Sequence, residues 1–172
     1  MMIAIRSLLL LSVLLGLGYP MLVTGLAKLL FPFQAAGSLI YNSQGELLGS
    51  SLIGQAFDNV GYFHGRPSAN HNNGASSAAT NLPLDSQARR DFAANLPYRH
   101  PALLSRSGSG VDPDLPLAAV IEQIPVVAKA RGMNPRQLKT VVMTFAHGGI
   151  LGPKVVNVFA LNRALDKDRH AR

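Results

Sequence analysis

The chain contains no cysteine, which excludes disulfide staples and thiolate metal sites. The same absence fits either side of a membrane, so it does not assign a compartment. Acidic residues are few, 9 against 16 lysines and arginines, for a formal net charge of +7 over 172 residues. The basic residues are scattered, however, and no basic run is interleaved with aromatics, which speaks against nucleic-acid binding. The surplus reads as a solvated face, with anionic lipid or an acidic partner surface as the alternative. No internal repeat is visible.

Several catalytic patterns are missing as well. Ser107-Gly108-Ser109-Gly110 lacks the lysine that a phosphate-cradling loop needs and reads as a plain turn. His64, His71, His100, His147 and His170 have neither the helical spacing nor the neighbouring carboxylates of a zinc site, and each reads as a surface or hydrogen-bonded histidine. Asp112 and Asp114 flank a proline and read as caps for the following helix rather than paired acid and base. No Gly-x-Ser-x-Gly elbow exists. The chemistry is that of a non-enzyme, with no catalytic residues, no metal ligands and no tightly bound cofactor expected.

What the chain does have is an uncharged run, mostly Leu, Val, Gly and Met, over residues 7–27, bounded by Arg6 and Lys28. At about 1.5 Å per residue such a helix reaches about 30 Å, the hydrocarbon thickness of a bilayer. A cleaved signal peptide is the rival reading, since Gly25-Leu26-Ala27 has a small-x-small pattern. An uncleaved anchor is favoured because a signal's apolar core runs about 7–15 residues, and this run continues through Leu29-Leu30-Phe31. Pro20 is compatible with a membrane helix, and Gly16, Gly18, Thr24 and Gly25 either admit a second helix or face lipid. The few flanking charges favour the N-terminus inside and the remaining domain outside the cytoplasmic membrane.

The expected architecture is a transmembrane anchor helix over residues 1–30 and a small α+β soluble domain over 31–172. A β-hairpin is predicted from residues 38–41 and 47–54 around the turn-forming Asn42-Ser43-Gln44-Gly45-Glu46. Residues 59–81 read as an irregular surface loop, 84–96 as a short helix, and Ala102-Leu103-Leu104-Ser105 as an extended piece. Leu117, Val120, Ile121, Ile124 and Ala128 define one face of a helix that Pro125 should kink or shorten. Asn134-Pro135 starts another with Leu138, Val141, Val142 and Phe145 on its apolar face, stopped by Gly148-Gly149. Residues 155–159 read as a strand or a strand-to-helix join.

Five blocks, taken in order, carry a resemblance. They are Gly49-Ser50-Ser51-Leu52-Ile53-Gly54-Gln55, Gly61-Tyr62-Phe63-His64-Gly65-Arg66-Pro67-Ser68-Ala69, Ser107-Gly108-Ser109-Gly110-Val111-Asp112-Pro113, Gln123-Ile124-Pro125-Val126-Val127-Ala128-Lys129-Ala130-Arg131-Gly132 and Val156-Asn157-Val158-Phe159-Ala160-Leu161-Asn162-Arg163-Ala164-Leu165-Asp166. With Tyr19-Pro20-Met21-Leu22-Val23-Thr24-Gly25-Leu26-Ala27 before them, the chain resembles the KdpC family, the C subunit of the bacterial Kdp potassium-transporting P-type ATPase. Ala78-Ala79-Thr80-Asn81 stands where that family carries Gly-Gly-Ser-Asn.

The resemblance implies a single-pass inner-membrane accessory subunit, partnered by the pump subunit KdpB, the potassium-translocating KdpA and the small KdpF. The chain itself lacks the Asp-Lys-Thr-Gly motif of a P-type pump. Two roles are described for the family: a catalytic chaperone that raises the pump's ATP affinity through a ternary complex, and a structural element on the external face. An external domain cannot meet cytoplasmic ATP, so assembly is favoured. Gln123 with Ser107, Gly108, Ser109 and Gly110 is the candidate set for ATP contact, and Tyr62, Phe63, His64 and Arg66 are the candidates for partner contact, with internal loop bracing as their alternative role. A membrane-anchored envelope enzyme or ligand-binding module is the competing class.

Overall fold

A computed structural model describes residues 2–83 and 85–170. The chain forms two compact units, Met1–Ser50 and Ser51–Arg172.

In the first unit, α1 (Met2–Val13), a π-helical segment (Leu14–Gly18) and α2 (Tyr19–Leu30) form one helix long and apolar enough to cross a membrane, with none of its apolar window buried in the protein. Pro20 explains the π segment. It lacks an N–H, and in a regular helix its ring presses on the carbonyl four residues back. Here the preceding turn widens so that the Tyr19 N–H bonds to the Leu14 carbonyl, five residues back, and the helix continues. Phe31, at φ −134°, ends it; the short α3 (Pro32–Ala35) follows, and Gly37 at φ +87° turns the chain into a hairpin.

That hairpin pairs β1 (Leu39–Tyr41) with β2 (Leu47–Ser50), antiparallel, with an irregularity between Ile40 and Tyr41. The Asn42 side chain builds the turn by accepting the Gln44 and Glu46 N–H groups at 2.9 and 2.8 Å. The second strand ends at Ser50, short of the expected Gly54, because residues 51–53 turn away.

In the second unit, α4 (Gln87–Ala94) is capped by Ser86 and α5 (Pro101–Leu104) by His100, whose Nδ1 accepts the Ala102 N–H at 3.2 Å. The helical turn at Pro101–Leu104 replaces the expected extended piece: a histidine cap followed by proline at the first position starts a helix. The Leu84 end of the helix expected over 84–96 lies outside the described residues. Strands β3 (Asp114–Pro116), β4 (Ala146–Gly148) and β5 (Lys154–Asn157) form an antiparallel sheet in the order β3-β5-β4. Around it pack α6 (Leu117–Arg131), α7 (Pro135–Thr144) and α8 (Val158–His170). Their core gathers Phe63, Leu103, Leu115, Val120, Val127, Leu138, Val142, Val156 and Leu161, all at 0–1% exposure. The unit is α+β, as the mixture of patterns predicted.

Three expectations are corrected. The helix α6 runs through Pro125 to Arg131: Pro125 sits on its exposed side while Val127 and Ala128 beyond it are buried, so core packing outweighs the lost backbone bond. Its buried stripe is Ala119, Val120, Gln123, Ile124, Val127 and Ala128, leaving Leu117 and Ile121 half-buried at the margin. The helix α7 ends at Thr144, before Gly148-Gly149; those glycines, at φ +79° and +100°, instead close β4 and open the loop to β5. Asp112 and Asp114 do not cap α6, because β3 intervenes and Pro116 occupies the cap position.

The irregular loops are tied to the glycine-rich turn by main-chain bonds. Gly54 N–H donates to Val111 O at 2.8 Å, Ser107 N–H to Pro67 O at 2.9 Å, and Ala78 N–H to Ser109 O at 3.1 Å. Gly110 permits this closeness: it lies at φ +77°, and a Cβ there would stand 2.6 Å from Asn70 Oδ1 and 2.7 Å from Ala78 O. Gly110→Ala is therefore expected to cost at least about 1–2 kcal/mol from the left-handed backbone alone. Denaturant unfolding of the purified chain measures this, with Gly108→Ala as the near-neutral control, since nothing lies within 4 Å of a Cβ there.

Candidate functional site

Residues 61–70 carry no helix or strand, yet they send Phe63 into the core and bury Gly61. Buried main chain without a ladder needs other partners. Two side-chain amides provide them. Asn162, on α8 and 0% exposed, accepts the Phe63 N–H at 2.9 Å and donates to the Phe63 carbonyl at 2.8 Å. Gln123, on α6 and 1% exposed, accepts the His64 N–H at 2.8 Å and donates to the His64 carbonyl at 3.0 Å. Consecutive residues are thus gripped by two helices, each amide serving as a piece of strand edge.

Charged groups brace both ends of this stretch. At one end the Arg131 guanidinium lies 4.8 Å from the Tyr62 ring centroid, donates to the Gly61 and Leu165 carbonyls and pairs with Asp166 at 3.1 Å. The Tyr62 hydroxyl donates to the other Asp166 oxygen at 3.1 Å. At the other end Arg66 pairs with Asp112 at 3.2 Å and donates to the Arg106 carbonyl at 3.3 Å, while its Nε is buried without a hydrogen bond. Ser68 Oγ donates to the Gly110 carbonyl at 2.6 Å and accepts the N–H groups of Asn70 and Asn72.

The expected partner-contact residues are therefore neighbours with different surroundings. Phe63 is wholly buried and has no surface to offer, whereas Tyr62, His64 and Arg66 are half-buried. His64 and Arg66 line a cleft of about 500 Å³ together with Phe57, Phe92, Tyr98 and Val126. Of the candidate ATP set, Gln123 is buried with both ends of its amide engaged by His64, Ser107 is buried beside Pro67, Gly110 is buried beside Ser68, and Gly108 and Ser109 are exposed. Gln123 and the turn both border residues 61–70, at separate points along it.

Sequence reading passed over Asn162, Arg131 and Glu122 as site residues. Glu122 accepts the N–H groups of Arg99 and His100 and so holds the start of α5. The available signal was an Asn on the apolar face of a helix, flanked by Leu161 and Leu165, a position where a buried amide needs a main-chain partner.

Tyr98 borders the cleft, and its phenol ionises above the ordinary value of about 10, because burial disfavours phenolate and the Glu122 carboxylate repels it. The folded chain thus holds this proton more tightly than the unfolded chain. The resulting stability is fully present below about pH 10 and is lost as pH rises from there through the raised folded value. Tyr98→Phe is expected to flatten that alkaline decline in a thermal midpoint against pH series. For the amide grip, Asn162→Leu leaves the Phe63 N–H and carbonyl unmet, at about 1–3 kcal/mol for each group. Hydrogen exchange should show the protected Phe63 amide becoming labile, whereas Gln44, held in the exposed hairpin turn, stays unchanged.

The sequence matches the family model described as "K+-transporting ATPase, c chain" over residues 1–167. It is 46% identical over 171 residues to the potassium-transporting ATPase KdpC subunit of Pseudomonas aeruginosa strain PAO1, covering 94% of this chain and 93% of that one. It is 42% identical to the KdpC subunits of Rhodopseudomonas palustris strain TIE-1, over 190 residues, and Pseudomonas putida strain W619, over 173, in each case covering 95% of this chain and 94% of the relative. The motif blocks that form the amide grip, the arginine braces and the glycine-rich turn thus sit in a match spanning nearly the whole chain, and the chain belongs to the KdpC family, the c chain of K+-transporting ATPases.

Proposed function

We propose that the chain is a non-catalytic accessory subunit of an ATP-driven potassium importer, needed for assembly and stability of a complex whose other subunits carry the ion path and the phosphorylated pump. The observation that carries this reading is the lone span: among the described residues a single helix, Met2–Leu30, is long and apolar enough to cross a membrane, and one helix cannot by itself enclose an ion pathway. Gly16, Thr24 and Gly25, with Pro20 and Lys28, line a depression of about 450 Å³ on that helix, where a neighbouring helix can approach closely. The partners by family are KdpA, KdpB and KdpF in a bacterial inner membrane, with the soluble domain over residues 31–172 on the external side.

Direct ATP contact is less well supported. Gln123 would have to release both bonds to His64 to meet a nucleotide, which would loosen the stretch that holds Phe63 in the core. The braced surface around Tyr62, His64 and Arg66 suits a partner-contact role, because rigid side chains lose little freedom on docking.

The side of the membrane decides between these roles. Ser43 sits in the exposed hairpin turn and the chain has no native thiol. A Ser43→Cys variant is expected to react with a membrane-impermeant maleimide in intact cells; labelling only after the inner membrane is breached would overturn the assembly reading in favour of ATP contact. Arg66→Ala is expected to lower the yield of purified complex and its potassium-stimulated ATPase activity. Unchanged yield and activity would remove Arg66 from the contact surface.

A further inference from the structure

The β4–β5 loop carries the two most exposed large apolar side chains among the described residues, Ile150 at 95% and Leu151 at 101%. They sit on a narrow tip. Gly148 pairs with Lys154 at its base, Gly149 turns at φ +100°, and Gly152-Pro153 completes the return. The Lys154 stem lies along Gly149, its Cγ 3.0 Å from where a Cβ would stand, so a cation is packed beside the apolar point.

The surrounding sequence is one-signed. Residues 123–165 contain no Asp or Glu but include Lys129, Arg131, Arg136, Lys139, Lys154 and Arg163. Of these, Lys129, Arg136, Lys139 and Lys154 are exposed. Lys154, the cation packed at the base of the tip, complements an anionic surface, and no acidic residue stands in the sequence from 123 to 165 to oppose it. A stable protein interface buries more than about 1,000 Å², and the glycines and proline around this tip add no ring of large side chains to reach it. A chain with its own membrane helix, however, works beside a bilayer at high effective concentration, where a weak contact suffices.

We propose that this tip dips Ile150 and Leu151 into the interfacial layer of an anionic bilayer, with Lys154 at the level of the lipid phosphates. Long cationic side chains take this position readily, stem in apolar surroundings and charge in water.

The test uses the full chain carrying a Leu151→Cys substitution, labelled with a polarity-sensitive nitrobenzoxadiazole dye and reconstituted into phosphatidylcholine–phosphatidylglycerol vesicles. Leu151 touches nothing that its replacement could disrupt, and a Ser109→Cys variant in the exposed glycine-rich turn is the reference. The expected result is blue-shifted emission at position 151 and loss of intensity with spin-labelled lipid, neither seen at 109, and both weakened by Lys154→Glu or pure phosphatidylcholine. Water-like emission without quenching would overturn the proposal. So would emission that shifts only when the transport complex is co-reconstituted, which would make the tip a protein contact. Equal quenching in phosphatidylcholine, which carries the phosphate but no net charge, would overturn the requirement for an anionic surface.

Discussion

Two buried carboxamides hold this domain where no sheet could. A chain segment crossing a core must satisfy each N–H and carbonyl it buries, and helices have no unpaired edge to lend. Asn162 and Gln123 solve the problem with side chains that donate and accept at once, one on α8 and one on α6. The grip fixes the positions of two helices against one loop, and Phe63 sinks into the core as a result. The remaining features of the face follow from it. Arg131, Tyr62 and Asp166 close one end, and Arg66, Asp112 and Ser68 close the other. Phe63 cannot move without disturbing α8, nor His64 without disturbing α6.

The membrane part obeys the same accounting under harsher terms. In lipid no water rescues an unpaired carbonyl, so a proline at position 20 would be costly in a regular helix. The π segment over Leu14–Gly18 shifts the bonding pattern by one residue and lets the helix pass. Gly16, within that segment, and Gly25 beyond it border a shallow depression along the helix.

Much of the architecture was legible because it rests on local rules. The run over 7–27 had the length of a bilayer, Asn42 and Gly45 marked a turn, and Asn134-Pro135 marked a helix start that the structure contains. Local rules also produced the errors. Pro125 reads as a kink or an early end for α6, but burial of Val127 and Ala128 beyond it carries the helix on to Arg131; Gly148-Gly149 reads as the stop of α7, but the helix ends at Thr144 and β4 begins at Ala146. Asn162 and Arg131 lie within the motif blocks, yet nothing local assigns them to residues 61–64, which lie far away in sequence.

The sequence by itself determined that the chain has one membrane-length helix, that an α+β domain follows, and which family its motif blocks belong to. These follow from hydrophobic length, turn chemistry and ordered short strings, all of which are readable residue by residue. Only the tertiary structure decided that Phe63 is a core residue, that Gln123 faces inward to hold His64, and that Ile150 and Leu151 stand alone at a tip. Burial and pairing are properties of what the fold brings beside a residue, and for an amide or an arginine that neighbour sets whether it is surface, brace or anchor.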